Sequence, residues 1–437
     1  MSGSKQTAKN GQTTQTGAPG PAGARASASG GALTGLRVIE LASERCAWAG
    51  KLLADMGADV ILVEPPAGDA ARHYGPFLDD EPGADRSLYW WHHHTSKRGI
   101  VLDLETAAGR ATLRKLAATA DIILEAETPG ALAAKKLDHP DLLAANPRLV
   151  YCSITPFGRS GPRKDELATD LTVLAAGGPV WMNGYDDHSL PPMRGLGNQG
   201  YAIGCHYAVM SILTAILWRG ASGQGQHIDV SLHAAANITT EAGSYVWLVA
   251  RETVQRQTGR HASQVSTMSS QTRCADGRYV TTGFPPRRPQ EYARLLEWLR
   301  SLGLEAKLPE AVFLKLGAEQ QSIDLSKIGQ DDQVTAIFGA GREALILIAE
   351  SVSAHDFFVG AQKIGLSVGA ILSPEEAFED EHFKARGIQV EVEHPELGRR
   401  FRYPGAPYAF QKGAWSISRR APRLGEHTGE VLTEVEG

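Results

Sequence analysis

The sequence lacks three features that identify large classes of protein: an excess of one charge, paired cysteines and long apolar runs. Its 437 residues carry 44 Lys and Arg against 49 Asp and Glu, so the formal net charge is only −5. This balance gives no electrostatic reason to expect a nucleic acid or a membrane surface as a partner. No apolar run approaches the roughly 20 residues that span a bilayer, so we predict no membrane partner and a cytoplasmic location.

The cysteines and a run of histidines show no recognisable disulfide or metal pattern. Cysteine occurs at four widely separated positions, Cys46, Cys152, Cys205 and Cys274. We interpret these residues as buried thiols of a reducing cytoplasm rather than as a disulfide frame or a zinc site. The three side chains of His92–His94 cannot point the same way in a strand, and they fan apart in a helix. We therefore predict a surface or turn cluster there and no bound metal.

Two common catalytic loops are also missing from the places where they would act. The Gly-x-Ser-x-Gly pattern of a nucleophile elbow is absent around the candidate strand ends, which disfavours a hydrolase. The Gly-rich stretch at 220–226 follows a helical pattern and precedes a strand. A phosphate-cradling loop follows a strand and opens a helix, so we predict that this stretch is only a turn.

From Leu36 onward, short apolar runs alternate with helical patterns. The candidate strands are “LRVIEL”, “DVILVE”, “GIVLDL”, “DIILEA” and “LVYCSI”, with helical stretches such as “WAGKLLADMGA” between them. Strands separated by helices predict right-handed βαβ units, and hence an α/β fold with a Rossmann-like parallel sheet. Ligands of such sheets bind beyond the carboxyl ends of the strands. The stretch “SITPFG”, which includes Thr155, leaves one of these ends.

Composition and pattern divide the chain into four parts. Residues 1–33 are mostly Gly, Ala, Ser and Thr, without the apolar core of a secretory signal, and predict a flexible tail. We expect a large Rossmann-like domain at 34–230. Linker helices and a smaller α/β domain are expected at 231–375, with a hairpin in “TRCADGRYVTTGF”. We expect residues 376–437, which end in a short helix, to return to the large domain.

The stretch “ELATDLTVLAAGG” leads from this strand end to Asp170. An aspartate before an apolar helical pattern ordinarily caps the helix by accepting backbone N–H bonds of its first turn. That role explains the residue completely, and most such aspartates have no other. The alternative is a nucleophile held at a helix start, and the local sequence alone does not decide between the two.

A series of ordered stretches carries a resemblance that does bear on this choice. They begin with “LTGLRVIELASERCAWAGKLLADMGADVILVEPP” and continue through “NPRLVYCSITPFGRSGP”, “GQGQHIDVSL” and “CADGRYV”. They close with “RGIQVEVEHPELGRRFRYPGAPYAF” and “APRLGEHTGEVL”. Together they resemble the class III CoA-transferases, a family that includes formyl-CoA and carnitine CoA-transferases and the methylacyl-CoA racemases. The resemblance covers the chain from Leu33 to its end.

The resemblance implies a fold, a reaction and a role for one residue. Asp170 stands where the family has its catalytic aspartate, which attacks an acyl-CoA thioester and forms a mixed anhydride, then an aspartyl-CoA thioester. An organic acid finally takes the CoA. The implied donor is an acyl-CoA such as succinyl-CoA, and “YWW” at 89–91 suggests a bulky or aromatic acid. No metal or permanently bound cofactor is implied, because CoA thioesters are substrates, and family dimers are interlocked.

Two departures from the family pattern argue against a racemase. Racemase members carry His immediately before the catalytic aspartate and a second Asp after the “PP” stretch. Here these positions hold Thr169 and Asn198. Neither side chain exchanges a proton with an acyl α-carbon, a step that requires a titratable acid and base. Racemase activity is therefore disfavoured.

The stretches that hold CoA in the family also differ. Basic residues of the family are replaced at Leu62, Pro65 and Glu105, although phosphates require cations or N–H donors. Arg45, Lys97, Arg98 and Lys135 are cations that would compensate. The residues predicted to bind CoA or substrate are Glu44, Arg45, Leu102, Lys135 and Thr155.

Three arrangements follow from this altered set of cations. The chain binds CoA in an altered way as a homodimer, or it acts in a heteromer with a paralogous subunit that supplies much of the CoA contact. The third is a non-catalytic paralogue that only supports the fold of a CoA-transferase partner. Loss of cations favours the third arrangement, whereas the retained Asp170 opposes it.

Overall fold

Six strands of the predicted alternation form one parallel sheet. The structure is a computed structural model that describes residues 30–283, 285–412 and 415–436, so most of the predicted tail lies outside the described residues. The strands are β1 (Arg37–Leu41), β2 (Asp59–Glu64), β3 (Arg98–Val101), β4 (Ile122–Glu125), β5 (Val150–Thr155) and β6 (Gln226–Ser231). Their order is β3-β2-β1-β4-β5-β6, and every neighbouring pair is parallel. The predicted α/β class and parallel sheet are confirmed.

This strand order places a crevice between β1 and β4. Successive strands extend the sheet in one direction from β1 to β3 and in the other from β4 to β6. The chain therefore leaves β1 and β4 in opposite directions along the sheet, and open α/β sheets bind their ligands in the crevice at the carboxyl ends of such a strand pair. Ile39 in β1 pairs in register with Ile61 in β2 and Ile123 in β4, so these strand ends are level with one another.

Helices cover both faces of this sheet. Those in the first 250 residues are α1 (Ala47–Asp55), α2 (Leu88–His93), α3 (Ala107–Thr119), α4 (Ala131–Ala134), α5 (His139–Ala145), α6 (Asp170–Gly177), α7 (Pro179–Met182), α8 (Gln199–Ser222), α9 (Leu232–Ile238) and α10 (Glu241–Ala250). Val38, Leu124 and Ile154 pack on the face that α1, α6 and α8 cover. Ile39 and Ile123 pack on the opposite face, against α3. Both faces are apolar because each strand alternates its side chains between two buried layers.

A second core forms around a small antiparallel sheet. After the short hairpin of β7 (Gln255–Gln257) and β8 (Arg260–Ser263) come β9 (Gln271–Arg273), β10 (Tyr279–Thr281) and β11 (Gly369–Ala370). Gly277 (φ 83°) completes the predicted Asp-Gly turn between β9 and β10, so that hairpin is confirmed. Tyr292, Leu345 and Phe357 are buried among the helices beside it. These helices are α11 (Pro289–Ser301), α12 (Ala311–Glu319), α13 (Asp332–Ser351) and α14 (Ala354–Lys363).

The last part of the chain contacts the main sheet. It contains α15 (Pro374–Glu379), α16 (Glu381–Ala385), the antiparallel pair β12 (Gln389–His394) and β13 (Arg399–Pro404), and α17 (Thr428–Glu436). Val431 in α17 is fully buried beside Ile39 and Ile100. Arg98 in β3 donates to Glu430 (2.8 Å) and Glu434 (2.6 Å) of the same helix. The domain boundaries at 230 and 375 remain predictions.

Helix α8 corrects one expectation about apolar runs. It is 24 residues long, and by length and composition it passes for a membrane-spanning helix. The sequence reading missed this because Gly, Ser and Thr interrupt the run without lowering its mean hydropathy much. In the fold α8 packs on α1, α6, α9 and the strands β5 and β6. Its Arg219 is buried and donates to the carbonyls of Asp121 and Arg148, and 44% of the most apolar segment of α8 is buried in the fold.

Candidate active site

Asp170 is the first residue of α6, and Thr169 is its N-cap. The Thr169 hydroxyl accepts from the N–H of Thr172, whose hydroxyl in turn accepts from the N–H of Thr169. Of the two interpretations that the local sequence left open for Asp170, the helix cap is therefore not supported, because Thr169 is the N-cap. Because threonines complete the cap, the Asp170 carboxylate is left to bind groups outside α6. It is nevertheless almost fully buried, with 4% of the residue exposed.

Each oxygen of the Asp170 carboxylate has a donor from another part of the chain. Oδ1 accepts from the backbone N–H of Tyr201 in the first turn of α8 (3.0 Å). Oδ2 accepts from Nη1 of Arg194 (2.9 Å). A Cβ at Gly200 would lie 3.0 Å from Oδ1, so the glycine lets α8 approach the carboxylate. A helix N-terminus and a guanidinium both complement an ionised carboxylate.

Arg45 connects Asp170 to the crevice of the sheet. It follows β1, and its Nη1 and Nη2 donate to the carbonyls of Ala126 (3.4 Å) and Ala168 (3.2 Å). Ala126 directly follows β4, and Ala168 lies two residues before Asp170. The side chain therefore crosses the opening between β1 and β4 and reaches the segment that positions Asp170. Within the described ranges its buried Nε has no hydrogen-bond partner.

Glu44 lies in the same electrostatic environment. Burial raises the pKa of its carboxyl, the neighbouring Arg45 opposes that rise, and the charges of Asp69 and Asp170 add to it. The predicted residues Glu44 and Arg45 are thus brought together with Asp170. In the part of the chain that the structure describes, Leu102, Lys135 and Thr155 form no hydrogen bond or ion pair with Asp170.

Thr155 and Leu102 are buried at strand ends rather than open to a ligand. Thr155 ends β5 with no exposed surface, and its hydroxyl has no partner among the residues described. Leu102 follows β3, is 7% exposed and packs in the core with Leu113 and Leu116. Its side chain therefore serves packing, and both residues remain predictions as ligand contacts.

The cations named as compensating for the altered CoA cradle are mostly engaged by acids. Nζ of Lys135 lies 2.5 Å from Oε1 of Glu105, the acidic residue at a position where the family often has a basic one. Lys97 forms a fully buried pair with Glu40 (2.8 Å), and Arg98 binds the acids of α17. The expectation that Lys97 and Arg98 compensate is therefore wrong, because folding uses both charges.

The tyrosine of “YWW” lies beside the site, whereas both tryptophans are buried elsewhere. Asn198, the residue directly before α8, donates through Nδ2 to the hydroxyl of Tyr89 (2.9 Å). Burial and the charge of Glu44 raise the pKa of that hydroxyl. Trp90 and Trp91 are 1% and 6% exposed and pack in the cluster of Leu62 and Tyr403. They give no support to a pocket for a bulky acid.

The histidine run is half-buried at His92 and His93 and buried at His94, and two of the three residues lie in α2, so the prediction of a surface or turn cluster is wrong. The ring of His92 stacks on Trp48 (5.5 Å) and that of His93 on Tyr89 (4.2 Å). His94 is the C-cap that follows α2, is 1% exposed, and its Nδ1 lies 3.1 Å from Nζ of Lys97. Burial lowers the pKa of His92 to about 3 and that of His93 to about 4. Neutral rings stack on aromatic neighbours here, and the direction of side chains along the sequence does not reveal such contacts.

Other catalytic patterns find no supporting geometry. The described residues contain no group of three or more His, Cys, Asp or Glu that could hold a metal ion. The four cysteines are buried free thiols, as predicted. Gly365–Gly369 does match Gly-x-Ser-x-Gly, away from the strands considered above, but it follows α14 and leads into β11. A nucleophile elbow has the opposite order, strand then helix. Within the stretch at 220–226, α8 ends at Ser222, Gly223 (φ 76°) is its C-cap and β6 begins at Gln226, so the stretch only connects a helix to a strand.

Sequence reasoning missed Arg194 and Tyr201, which hold the carboxylate. Both lie in or next to “PPMRGLGNQG”, a stretch used only to note the Asn198 substitution. The sequence signal for Arg194 was a single cation in a Gly- and Pro-rich stretch. No sequence signal exists for the Tyr201 amide, because every residue except proline carries one.

Comparisons with known proteins agree over nearly the whole chain. A family model described as CoA-transferase family III matches residues 33–428. Subunit BbsE of succinyl-CoA:(R)-benzylsuccinate CoA-transferase from Thauera aromatica is 30% identical, over 91% of this chain and 93% of its own. Succinate–glutarate CoA-transferase from Agrobacterium fabrum is 31% identical, over 92% and 96%. A solved CAIB/BAIF family protein from Brucella suis superimposes with a TM-score of 0.73 at 26% identity, over 93% and 99%.

Proposed function

This chain belongs to CoA-transferase family III, and we propose that it moves CoA from an acyl-CoA, such as succinyl-CoA, to an organic acid. It is a CoA-transferase, alone or as one subunit, as are relatives that match it over more than nine-tenths of its length. The observation that carries the finer proposal is the carboxylate of Asp170. It lies at a helix start next to the crevice, with donors on both oxygens and no role in its own helix cap.

The proposed reaction divides the exchange into covalent steps. An oxygen of Asp170 attacks the thioester carbonyl carbon, the C–S bond breaks, and CoA thiolate leaves a mixed anhydride. The thiolate then attacks the aspartyl carbonyl carbon, which releases the first acid as a carboxylate and leaves an aspartyl-CoA thioester. The acceptor carboxylate and the thiolate repeat these two steps in reverse. Charge and atoms balance without a redox or metal cofactor, and CoA enters as a substrate.

Groups around Asp170 suit the charges that develop in these steps. Each attack produces a tetrahedral oxyanion, which backbone N–H groups and cations stabilise when they are already oriented. The N-terminal turn of α8 and the guanidinium of Arg194 are the donors nearest to the reacting carboxylate. Arg45 crosses the crevice with an unpaired Nε, and we propose Glu44 and Arg45 as contacts for the thioester end of the substrate.

A racemase function finds no support. The relatives compared here carry CoA-transferase names. Thr169 serves as the helix cap, and Asn198 donates to Tyr89, so neither residue is a titratable group beside Asp170.

We propose that a second subunit completes the CoA site. Lys135 is neutralised by Glu105, and Lys97 and Arg98 are engaged, which leaves few cations for CoA phosphates near the crevice. Large apolar side chains of α8 and α10 are exposed, including Leu217, Trp218, Leu248 and Val249, as expected at an interface. One relative is named as a subunit, which fits a heteromer. An interlocked homodimer is the alternative, and a cytoplasmic location is proposed for either assembly.

The test is to trap the covalent intermediate. The protein, alone and mixed with a paralogous subunit from its own organism, is incubated with succinyl-CoA, quenched and analysed by peptide mass spectrometry. We expect a hydroxylamine-sensitive adduct on Asp170. The nucleophile assignment would be refuted, and the non-catalytic alternative favoured, if no adduct forms in either sample and the exchange activity survives Asp170→Asn. An adduct only in the mixture identifies a heteromer.

A further inference from the structure

Among the residues that the structure describes, Arg194 forms its hydrogen bonds through a single nitrogen, Nη1. Nη1 donates both to Oδ2 of Asp170 (2.9 Å) and to the carbonyl of Gly197 (3.3 Å). Within residues 30–283, 285–412 and 415–436, no acceptor hydrogen-bonds to Nη2 or Nε. The side chain is 36% exposed, whereas that of Asp170 is 5% exposed. The guanidinium therefore has one edge on the buried carboxylate and another edge open towards solvent.

The open edge has the geometry that binds a carboxylate. Nε and Nη2 form a planar fork of parallel N–H groups, and a carboxylate accepts from both at once. Every acid that takes part in CoA exchange reacts through its carboxylate, both the acid that is released and the acid that accepts. A carboxylate on this fork would share the guanidinium with Asp170 and thus lie next to the atom with which it must react.

We propose that Arg194 binds the reacting carboxylate of the released and accepting acids and holds it against Asp170. This inference rests on the proposed nucleophilic role of Asp170. It adds a substrate-binding residue that recognises the one group common to all acids of the reaction, rather than the rest of the acid. The chain thus has one carboxylate site that the two acids occupy in turn.

The covalent cycle changes the charge that Arg194 faces. In the free enzyme the guanidinium is paired with the Asp170 carboxylate. In the aspartyl-CoA thioester that carboxylate is neutral, so the guanidinium is released for the incoming acid. The acid oxygen then attacks the aspartyl carbonyl carbon, a C–O bond forms, the C–S bond breaks, and its electron pair leaves on the CoA thiolate. Acid binding is therefore strongest in the state that requires it.

The other arginines close to the site do not have this freedom. Both terminal nitrogens of Arg45 donate to backbone carbonyls, and its Nε is buried. Arg159 is 13% exposed and binds Glu125, Asp138 and Ser153. A substrate carboxylate would have to displace protein groups from either one.

The first experiment measures succinate binding by calorimetry, with the chain in the assembly in which it purifies. Asp170→Asn removes the charge that competes for Arg194 and mimics the neutral thioester state. We expect succinate to bind this variant at least about fivefold more tightly than the wild type. Adding Arg194→Gln should remove the gain. Equal succinate affinity in the single and double variants would overturn the inference, as would an affinity of Asp170→Asn no higher than that of the wild type.

The second experiment separates the half-reactions. We expect Arg194→Gln to form the enzyme–CoA thioester from succinyl-CoA within about threefold of the wild-type rate, but to discharge it to succinate at least about 30-fold more slowly. Arg194→Lys keeps the charge without the fork, so its discharge rate should lie between those of the wild type and Arg194→Gln. The control is Arg300→Gln, which removes an exposed arginine of α11 that is paired with Glu305. Equal losses in both half-reactions would indicate a merely structural role.

The outcomes distinguish this inference from the proposed function. If Arg194→Gln forms the adduct and discharges it at the wild-type rate, the role of Arg194 is refuted and the nucleophile assignment still stands. Absence of the adduct in the wild type refutes that assignment, and the succinate affinities still report whether Arg194 binds a carboxylate.

Discussion

Asp170 and Glu125 are two buried carboxylates that are held by the same kinds of donor. Asp170 accepts from a backbone N–H and from Arg194. Glu125, the last residue of β4, accepts from the backbone N–H of Glu127 (2.7 Å) and from Nη1 of Arg159 (3.1 Å). Both are nearly or fully buried. Carboxylate chemistry and local donors therefore do not by themselves separate a candidate nucleophile from a structural acid.

The arginine partners make the difference. Arg159, whose side chain is 13% exposed, is held by three polar side chains and anchors the loop after β5, where its backbone N–H also donates to Asp229. Arg194 is half-exposed and has an open edge. Burial raises the pKa of Glu125 to about 7, so that carboxyl is costly to ionise and poorly suited to nucleophilic attack. A functional carboxylate in this fold is thus identified by what else its cation can bind.

The largest expected effect tests that distinction directly. Asp170→Asn should lower CoA exchange by at least about 10³-fold, because an amide cannot form the anhydride. Glu125→Gln should lower it by less than about tenfold, because its carboxylate only supports the loop. Initial rates of CoA transfer from succinyl-CoA measure both. Similar losses in the two variants would erase the proposed difference between the two acids.

Gly200 tests how closely α8 must approach the nucleophile. Its Cβ in Gly200→Ala would lie 3.0 Å from Oδ1 of Asp170 and 3.3 Å from Leu174, so the carboxylate must shift. We expect kcat to fall about 10- to 100-fold, because small displacements of a reacting group are costly. Gly220→Ala in the same helix meets nothing within 4 Å and is the matched control. It should keep its activity and gain about 0.5–1 kcal/mol of stability. An active Gly200→Ala would indicate that the approach is not needed.

Glu125 should appear instead in the pH dependence of stability. Its folded-state pKa of about 7 lies above the ordinary value of 4.5, so the folded protein binds this proton more tightly than the unfolded chain. That contribution is complete below about pH 4.5 and is lost as the pH rises through about 7. From pH 5 to 8, Glu125→Gln should therefore lose about 1–2 kcal/mol less unfolding free energy than the wild type. Urea unfolding at both values measures this. Glu127→Gln, at an exposed neighbour, should behave as the wild type does.

The smallest expected effect concerns Lys135, whose charge is neutralised by Glu105. Glu105→Gln releases Lys135 from its ion pair, and we expect acyl-CoA to bind about three- to fivefold more tightly, with a steeper dependence on salt. Equilibrium binding of CoA measures the change. Glu305→Gln, which breaks an exposed pair with Arg300, should leave it unaltered. An unchanged affinity in Glu105→Gln would place Lys135 outside the CoA site.

Prediction from the sequence succeeded where a feature depends on neighbouring residues and failed where it depends on residues far apart along the chain. Strands and helices around the crevice came from local periodicity, and the hairpin turn came from Asp276 and Gly277. The partners of Asp170 did not, because Arg194 and Tyr201 are 24 and 31 residues away along the chain. The local sequence left the cap of α6 open, since Thr169 and Asp170 are both acceptable caps and only the geometry assigns the cap to Thr169.

By itself, the sequence determined the α/β class, the parallel sheet and the resemblance that singles out Asp170. Each depends on periodic apolar residues or on ordered motifs, which are written into neighbouring positions. Only the tertiary structure decided which charges remain available: it buries Lys97 against Glu40, pairs Lys135 with Glu105, and leaves one edge of Arg194 open. A charge can bind a ligand only where folding has not already neutralised it, and that outcome depends on packing between distant segments.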